Sequence, residues 1–416
     1  MKRKTIVMNV DYFDELSLHQ DPMGPDEVET LVRQCAEAGV DLVCWRAHGL
    51  GTAGYPSRLI APPEWVGTVG FPMVADRAGK GVYSDLRKPA GKAWGGKLAA
   101  SLERMDPLAT ARDACRRHGL RFFIWLDIFD EMRNRFLLEH PECLVLGRDG
   151  KTPWPGLRSY SHEAAVANQL AVVDELAAYR PDGLYLSTSC HTRHLEFPEG
   201  EDFFGFEPSV VEAYRARVGH SLYDGDCDAD AWHGVKGDAF TEFYRRVKQR
   251  LQPIGAQLAI GTQFGRHTTL NSPYMSARVP YRFETQWKRW IDEGIADLLV
   301  LADYEWPWDR VPIWEPKGLW PPEGRQVADM LLPDYVNYAA GRVQCLVFSS
   351  WLSAYAQHHQ GASAANLEDA MRMRSQTLLE TGADGICLHE AHTFEYYKAF
   401  DTVTEMRRTL DGGVRA

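Results

Sequence analysis

The sequence lacks most of the signatures that would place a protein quickly. None of its 416 residues fall in a continuous apolar run near the roughly 18 needed to cross a bilayer, so no membrane span is expected. Lys/Arg-rich blocks are missing and the formal net charge is −11, which argues against a nucleic-acid partner. The eight cysteines, at 35, 44, 115, 143, 190, 227, 345 and 387, include no CxxC pair. Cys44, Cys115, Cys345 and Cys387 sit inside apolar patterns, so reduced, buried thiols are expected rather than a disulfide framework. The start, MKRKTIVMNVDYF, has too short an apolar run for a secretory signal and reads as a first strand, which implies a cytoplasmic address. No phosphate loop, GxSxG elbow or HExxH motif occurs, and HEAH at 389–392 does not replace the last of these. No Pro/Gly/Ser-rich linker divides the chain, so 1–416 is expected to form a single domain.

What is present is a soluble globular composition, 45% hydrophobic and 25% charged, with an unusual load of 13 Trp and 17 Tyr. Apolar strand-like runs recur at 5–10, 41–46, 121–126, 183–188, 258–262, 298–302, 343–348 and 385–389. Amphipathic helical patterns lie between them at 26–39, 106–119, 162–179, 208–219, 282–294 and 366–382. Gly39, Gly119, Gly219, Gly294 and Gly382 follow helices as left-handed caps do. The strand runs are apolar throughout rather than alternating, as in parallel strands buried on both faces. Eight of them with helical crossovers predict an α/β fold, a (β/α)8 TIM barrel. The long segments at 50–105, 127–160 and 303–325 follow strands, so they should wall a cleft on the C-terminal face.

The strand ends carry polar groups in number. Asn9, Asp11, Arg46, His48, Asp127, Asp130 and Ser187 through His191 belong to the first four strands. Thr262, Gln263, Asp303, Glu305, Ser349, Ser350, His389 and Glu390 belong to the last four. The segment ADLLVLADYEWPW (296–308) ends an aliphatic strand in two carboxylates and three rings, a pairing suited to sugars. Acetal cleavage needs one acid to protonate the leaving oxygen and a second carboxylate at the anomeric carbon. Asp303, Glu305, Glu390 and Asp127 are therefore the catalytic candidates. Neighbours along a strand point to opposite sides, so Asp303 and Glu305 are not both expected to face substrate. Asp11, Arg46, His48, Trp125, His191, Gln263, Trp306, Trp351 and His389 are the candidate substrate-binding residues. Asp14 and Trp45 are further candidates for sugar contact, with helix-capping and core-packing roles as their alternatives.

The blocks CWRAHGLGTAGYPS (44–57), MDPLATARDACRRHGLRFFIWLD (105–127) and HPECLVLGRDGKT (140–152) carry a resemblance, as do 158–188 and 204–219. They resemble the family 10 glycosyl hydrolase-like barrel proteins over roughly the first half of the chain. The resemblance implies a (β/α)8 barrel acting on glycosidic bonds without a cofactor. It also implies an acidic residue at the end of the DGLYL strand, where this chain has Ser187.

The expected function is thus a glycoside hydrolase with a carboxylate pair in an aromatic-lined cleft, a carbohydrate as its partner, and no metal or cofactor. The alternatives are a non-catalytic carbohydrate-binding barrel, which the missing strand-four acid favours, and a metal-dependent sugar hydrolase or isomerase using His191 and His389. Oligomeric state is not legible.

Overall fold

The computed structural model describes residues 3–62, 89–129, 131, 134–188, 204–225, 227–262, 275–276, 281–301, 327–349 and 364–412. Eight parallel strands close into a barrel: β1 Thr5–Val10, β2 Leu42–Arg46, β3 Arg121–Asp127, β4 Gly183–Ser187, β5 Gln257–Thr262, β6 Leu298–Leu301, β7 Gln344–Ser349 and β8 Gly385–His389. Each pairs with its neighbour in sequence, and β1 closes the ring on β8 with Asn9 opposite His389. This is the (β/α)8 architecture that the rhythm of apolar runs predicts.

Alternate residues of each strand build two layers, as the two-residue period of a strand requires. Val7, Cys44, Phe123, Trp125, Tyr185, Val300, Leu346, Phe348 and Cys387 fill the barrel interior. Ile6, Met8, Val43, Trp45, Ile124, Leu184, Ile260 and Leu388 face outward into the larger core under the helices. That core includes the apolar sides of Pro25–Glu37, Pro107–Arg117 and Glu163–Ala177. Pro25 and Pro107 occupy first-turn positions, where a missing N–H costs nothing, and Asp106 caps its helix by accepting from the Ala109 amide. All five glycines read as helix stops have positive φ, which glycine alone adopts without a Cβ clash.

Two elements depart from the periodicity. The segment 282–294 is helical only over Trp287–Asp292, because Phe283–Glu284 pairs antiparallel with Met275–Ser276. The short helix Tyr12–Leu18 follows β1 directly, where seven residues are too few to show a helical period. Among the described residues, no helix is long and apolar enough to cross a membrane.

The return of the long loop after β3 is held by buried charge. Arg158 donates from Nη2 to Glu131 Oε2 at 2.7 Å and from Nη1 to the Ala165 carbonyl at 2.7 Å. Asn134 donates to the same carboxylate oxygen at 2.9 Å. Both members of the ion pair are almost fully buried. Glu131→Ala is therefore expected to leave the guanidinium buried without its counter-charge and to lower stability by about 3–5 kcal/mol. A fall in the urea midpoint at unchanged slope is the measurement.

Candidate active site

The first three strands end in one charged group. Asp11 leaves β1, accepts the Phe13 amide at 3.0 Å and so caps Tyr12–Leu18. Its other oxygen pairs with Arg46 Nη1 at the end of β2, while Arg46 Nη2 pairs with Asp127 at the end of β3. Trp125 Nε1 donates to Asp127 Oδ1 at 2.8 Å, and the Arg46 guanidinium lies 4.9 Å from the Trp125 ring centroid. His48 Nε2 donates to the Asp127 carbonyl at 2.9 Å. Arg46, Asp11, Asp127 and His48 are all buried. One guanidinium therefore bridges two carboxylates, with its face on an indole.

The last strand brings the second group. His389, the final residue of β8, packs edge-on to Trp125 at 5.6 Å and lies 5.2 Å from Phe348. Its Nε2 is 3.1 Å from Glu390 Oε1, and His392 Nδ1 is 3.6 Å from the same oxygen. Glu390 Oε2 is buried with no hydrogen-bond partner among the described residues. Asp14, on the helix after β1, completes the cluster: one ligand atom each of Asp14, Glu390 and His392 lies within 4.8 Å of the others.

These groups polarise one another. Burial works against the Glu390 charge, but His389 and then His392 outweigh it and hold the carboxyl well below the ordinary range. For His392, burial is likewise outweighed by Glu390, then Asp14 and Asp11, and its pKa is pushed up to about 9. Asp14 moves the other way. Burial, then the charges of Glu390 and Asp11, push its carboxyl well above the carboxylate range, which His392 and Arg46 only partly offset. Two carboxyls in contact thus favour opposite protonation states, the pattern that marks acid and base partners.

Of the residues expected at the site, Asp11, Arg46, His48, Trp125, Asp127, His389 and Glu390 are brought to the same end of the barrel. Trp125 sits fully buried beneath Arg46 rather than displayed. Trp45 faces the outer core against Tyr12, with centroids 5.6 Å apart. Asp303, Glu305, Trp306, His191, Gln263 and Trp351 lie outside the described residues. Ser187 pairs with Asp127 across β3 and β4 and is fully buried, so strand four ends in a hydroxyl. His392 carries more of the electrostatics than the HEAH string implies. Its signal is the spacing of two residues from Glu390, which becomes meaningful only once Asp14 lies opposite. The Asp14, Glu390 and His392 donor set is also one that a divalent ion accepts.

No protein-family model matches the chain, and no curated protein matches it. Solved structures do. The glycoside hydrolase domain of PgaB (BpsB) from Bordetella bronchiseptica is 11% identical, covers 98% of this chain and 99% of its own, and gives a TM-score of 0.55. Alpha-L-fucosidase isoenzyme 2 from Paenibacillus thiaminolyticus is 11% identical over 99% of this chain and 49% of its own, with a TM-score of 0.53. This chain therefore spans about half the length of the fucosidase. The endo-beta-1,4-mannanase from Thermotoga petrophila is 9% identical over 100% of this chain and 79% of its own, with a TM-score of 0.51. The likeness is one of fold. The narrower resemblance to family 10 glycosyl hydrolase-like proteins finds no matching family model.

The Glu390–His392 pair has a pH signature. His392 is raised in the folded chain, so its contribution is complete below its ordinary 6.5 and lost as pH climbs through about 9. Glu390 is depressed, so its contribution is present above its ordinary 4.5 and lost as pH falls through the folded value. The Tm gap between wild type and His392→Asn is expected to be widest at about pH 5–6 and to close toward pH 9. A gap that stays constant across that range would overturn the pairing.

Proposed function

We propose that this protein is a glycoside hydrolase whose carboxylate pair is Glu390 and Asp14. The observation that carries this reading is the asymmetry of Glu390: Oε1 is held by His389 and His392, while Oε2 has no partner among the described residues. A carboxylate so oriented presents one fixed oxygen and one free to attack. The proximity of Asp14 fits the roughly 5–5.5 Å separation of retaining enzymes better than the 6.5–9.5 Å of inverting ones. The fold neighbours include proteins named as a glycoside hydrolase domain, a fucosidase and a mannanase, which supports a glycosidic substrate.

In this mechanism Asp14 gives its proton to the glycosidic oxygen as Glu390 Oε2 bonds to the anomeric carbon and the leaving sugar departs. Asp14, now ionised, takes a proton from water, whose oxygen displaces Glu390 and regenerates both groups. Arg46 and Asp127 do not react; they hold Asp11 and the Trp125 floor in place. Asp303 and Glu305, which follow strand six in the chain, are the alternative acids to Asp14, with Trp306 and Trp351 proposed as sugar platforms.

Glu390→Gln and Asp14→Asn should each lower kcat by roughly 10²–10⁴ on a cleaved oligosaccharide or aryl glycoside, with circular dichroism unchanged. Glu305→Gln discriminates: a loss as deep as that of Glu390→Gln, with Asp14→Asn near wild type, would move the acid to strand six. Sugar binding by calorimetry with no cleavage over long incubation would replace the enzyme with a carbohydrate-binding barrel. A second reading, metal-assisted hydrolysis, is favoured by the spacing of Asp14, Glu390 and His392. It requires turnover to vanish on chelation and return with a divalent ion.

A further inference from the structure

Glu15 follows Asp14 and therefore leaves the helix about 100° around from it, toward the helix Ala391–Tyr396 that follows β8. It is fully buried, and neither of its carboxylate oxygens has a hydrogen-bond partner among the described residues. The nearby cation does not serve it: Lys97 Nζ donates to the backbone carbonyls of Leu16, at 3.0 Å, and His19. What does face Glu15 is His19, the C-cap residue of the same helix, and Glu395 from the opposing helix. One ligand atom of each lies within 4.8 Å of the others, and His19 Nε2 is 3.9 Å from Glu395 Oε1. Burial, then the charges of Glu395 and Glu390, push the Glu15 carboxyl well above the carboxylate range, and a protonated carboxyl has a single O–H to donate, so Glu395 can serve only one of its two oxygens.

We propose that Glu15, His19 and Glu395 bind a divalent transition-metal ion, with Zn²⁺ the best match, that ties the first helix of the chain to the helix after the last barrel strand. One imidazole and two carboxylates suit zinc, and a water would fill the fourth tetrahedral position. Bonds of about 2.0–2.2 Å put tetrahedral ligands about 3.3 Å apart. The His19–Glu395 separation of 3.9 Å is wider by about 0.6 Å, and the other two, each within 4.8 Å, exceed that spacing by at most about 1.5 Å. His19 and Glu395 are only partly buried, so side-chain rotation can close that difference. The ion would take the place of the proton on the buried Glu15 and clamp the β1–β8 seam, holding Asp14 opposite Glu390. This role is structural and independent of the reaction proposed above.

The test uses the full chain, stripped with a chelator and dialysed, then titrated with Zn²⁺ and with Mn²⁺ by calorimetry and checked by elemental analysis. Wild type is expected to take up one equivalent that His19→Asn and Glu395→Gln both fail to bind. Saturation should raise its Tm by roughly 2–4 °C, a rise absent from those variants. Both substitutions are at partly exposed positions, so folding is preserved where Glu15→Gln could disturb the interior. Glu390→Gln and Cys227→Ser control for binding at the active-site cluster and at the exposed thiol, and both should keep the equivalent. Uptake unaffected by His19→Asn and Glu395→Gln, or no stoichiometric uptake of either ion, overturns the proposal.

Discussion

The mouth of this barrel depends on one buried guanidinium. Arg46 lies between Asp11 and Asp127, against the Trp125 ring, and links the ends of three consecutive strands. A charge in such a place is tolerable only when fully paired, and removing one member strands the others. The arrangement constrains what surrounds it. Asp11 must stay at the end of β1, where it also caps the following helix, and that helix then presents Asp14 and Glu15 at set angles. Asp127 must stay beside the Trp125 indole, which in turn packs against His389 at the end of β8. A single ion-pair network thereby reaches from the second strand to both sides of the barrel seam.

The seam is where the chemistry gathers. β1 and β8 are the ends of the sheet in sequence and neighbours in space, and each is followed at once by a short helix. Those helices bring Asp14 to Glu390 and Glu15 to Glu395, two carboxyl contacts that a protein keeps only with compensation. Around Glu390 the compensation is visible in His389 and His392, which hold it ionised while Asp14 is driven toward its protonated form. Histidine and carboxylate together set a polarity that neither residue has alone.

The barrel was largely legible in the residues. Each of the eight strands falls within a residue or so of an apolar run, because parallel strands buried on both faces must be apolar throughout. The glycine stops hold for a backbone reason, since positive φ excludes most side chains. Local signals fail where length or pairing decides. Tyr12–Leu18 is too short for periodicity, and Phe283–Glu284 joins a strand pair that the helical pattern of 282–294 conceals. Trp45 and Trp125 look alike beside apolar neighbours, yet they sit on opposite faces of adjacent strands, one toward the helices and one toward the barrel axis.

By itself the sequence determined the eight-strand rhythm, the polar residues at the strand ends and the placement of Arg46, Asp127 and Glu390 near the mouth. Those follow from burial and from chain direction, which are local properties. Only the tertiary structure decided which of the polar residues meet. Asp14 and Glu390 are far apart in the chain, and no spacing rule relates them. Closure of β1 on β8 brings them together, and the electrostatics of the site arises from that proximity.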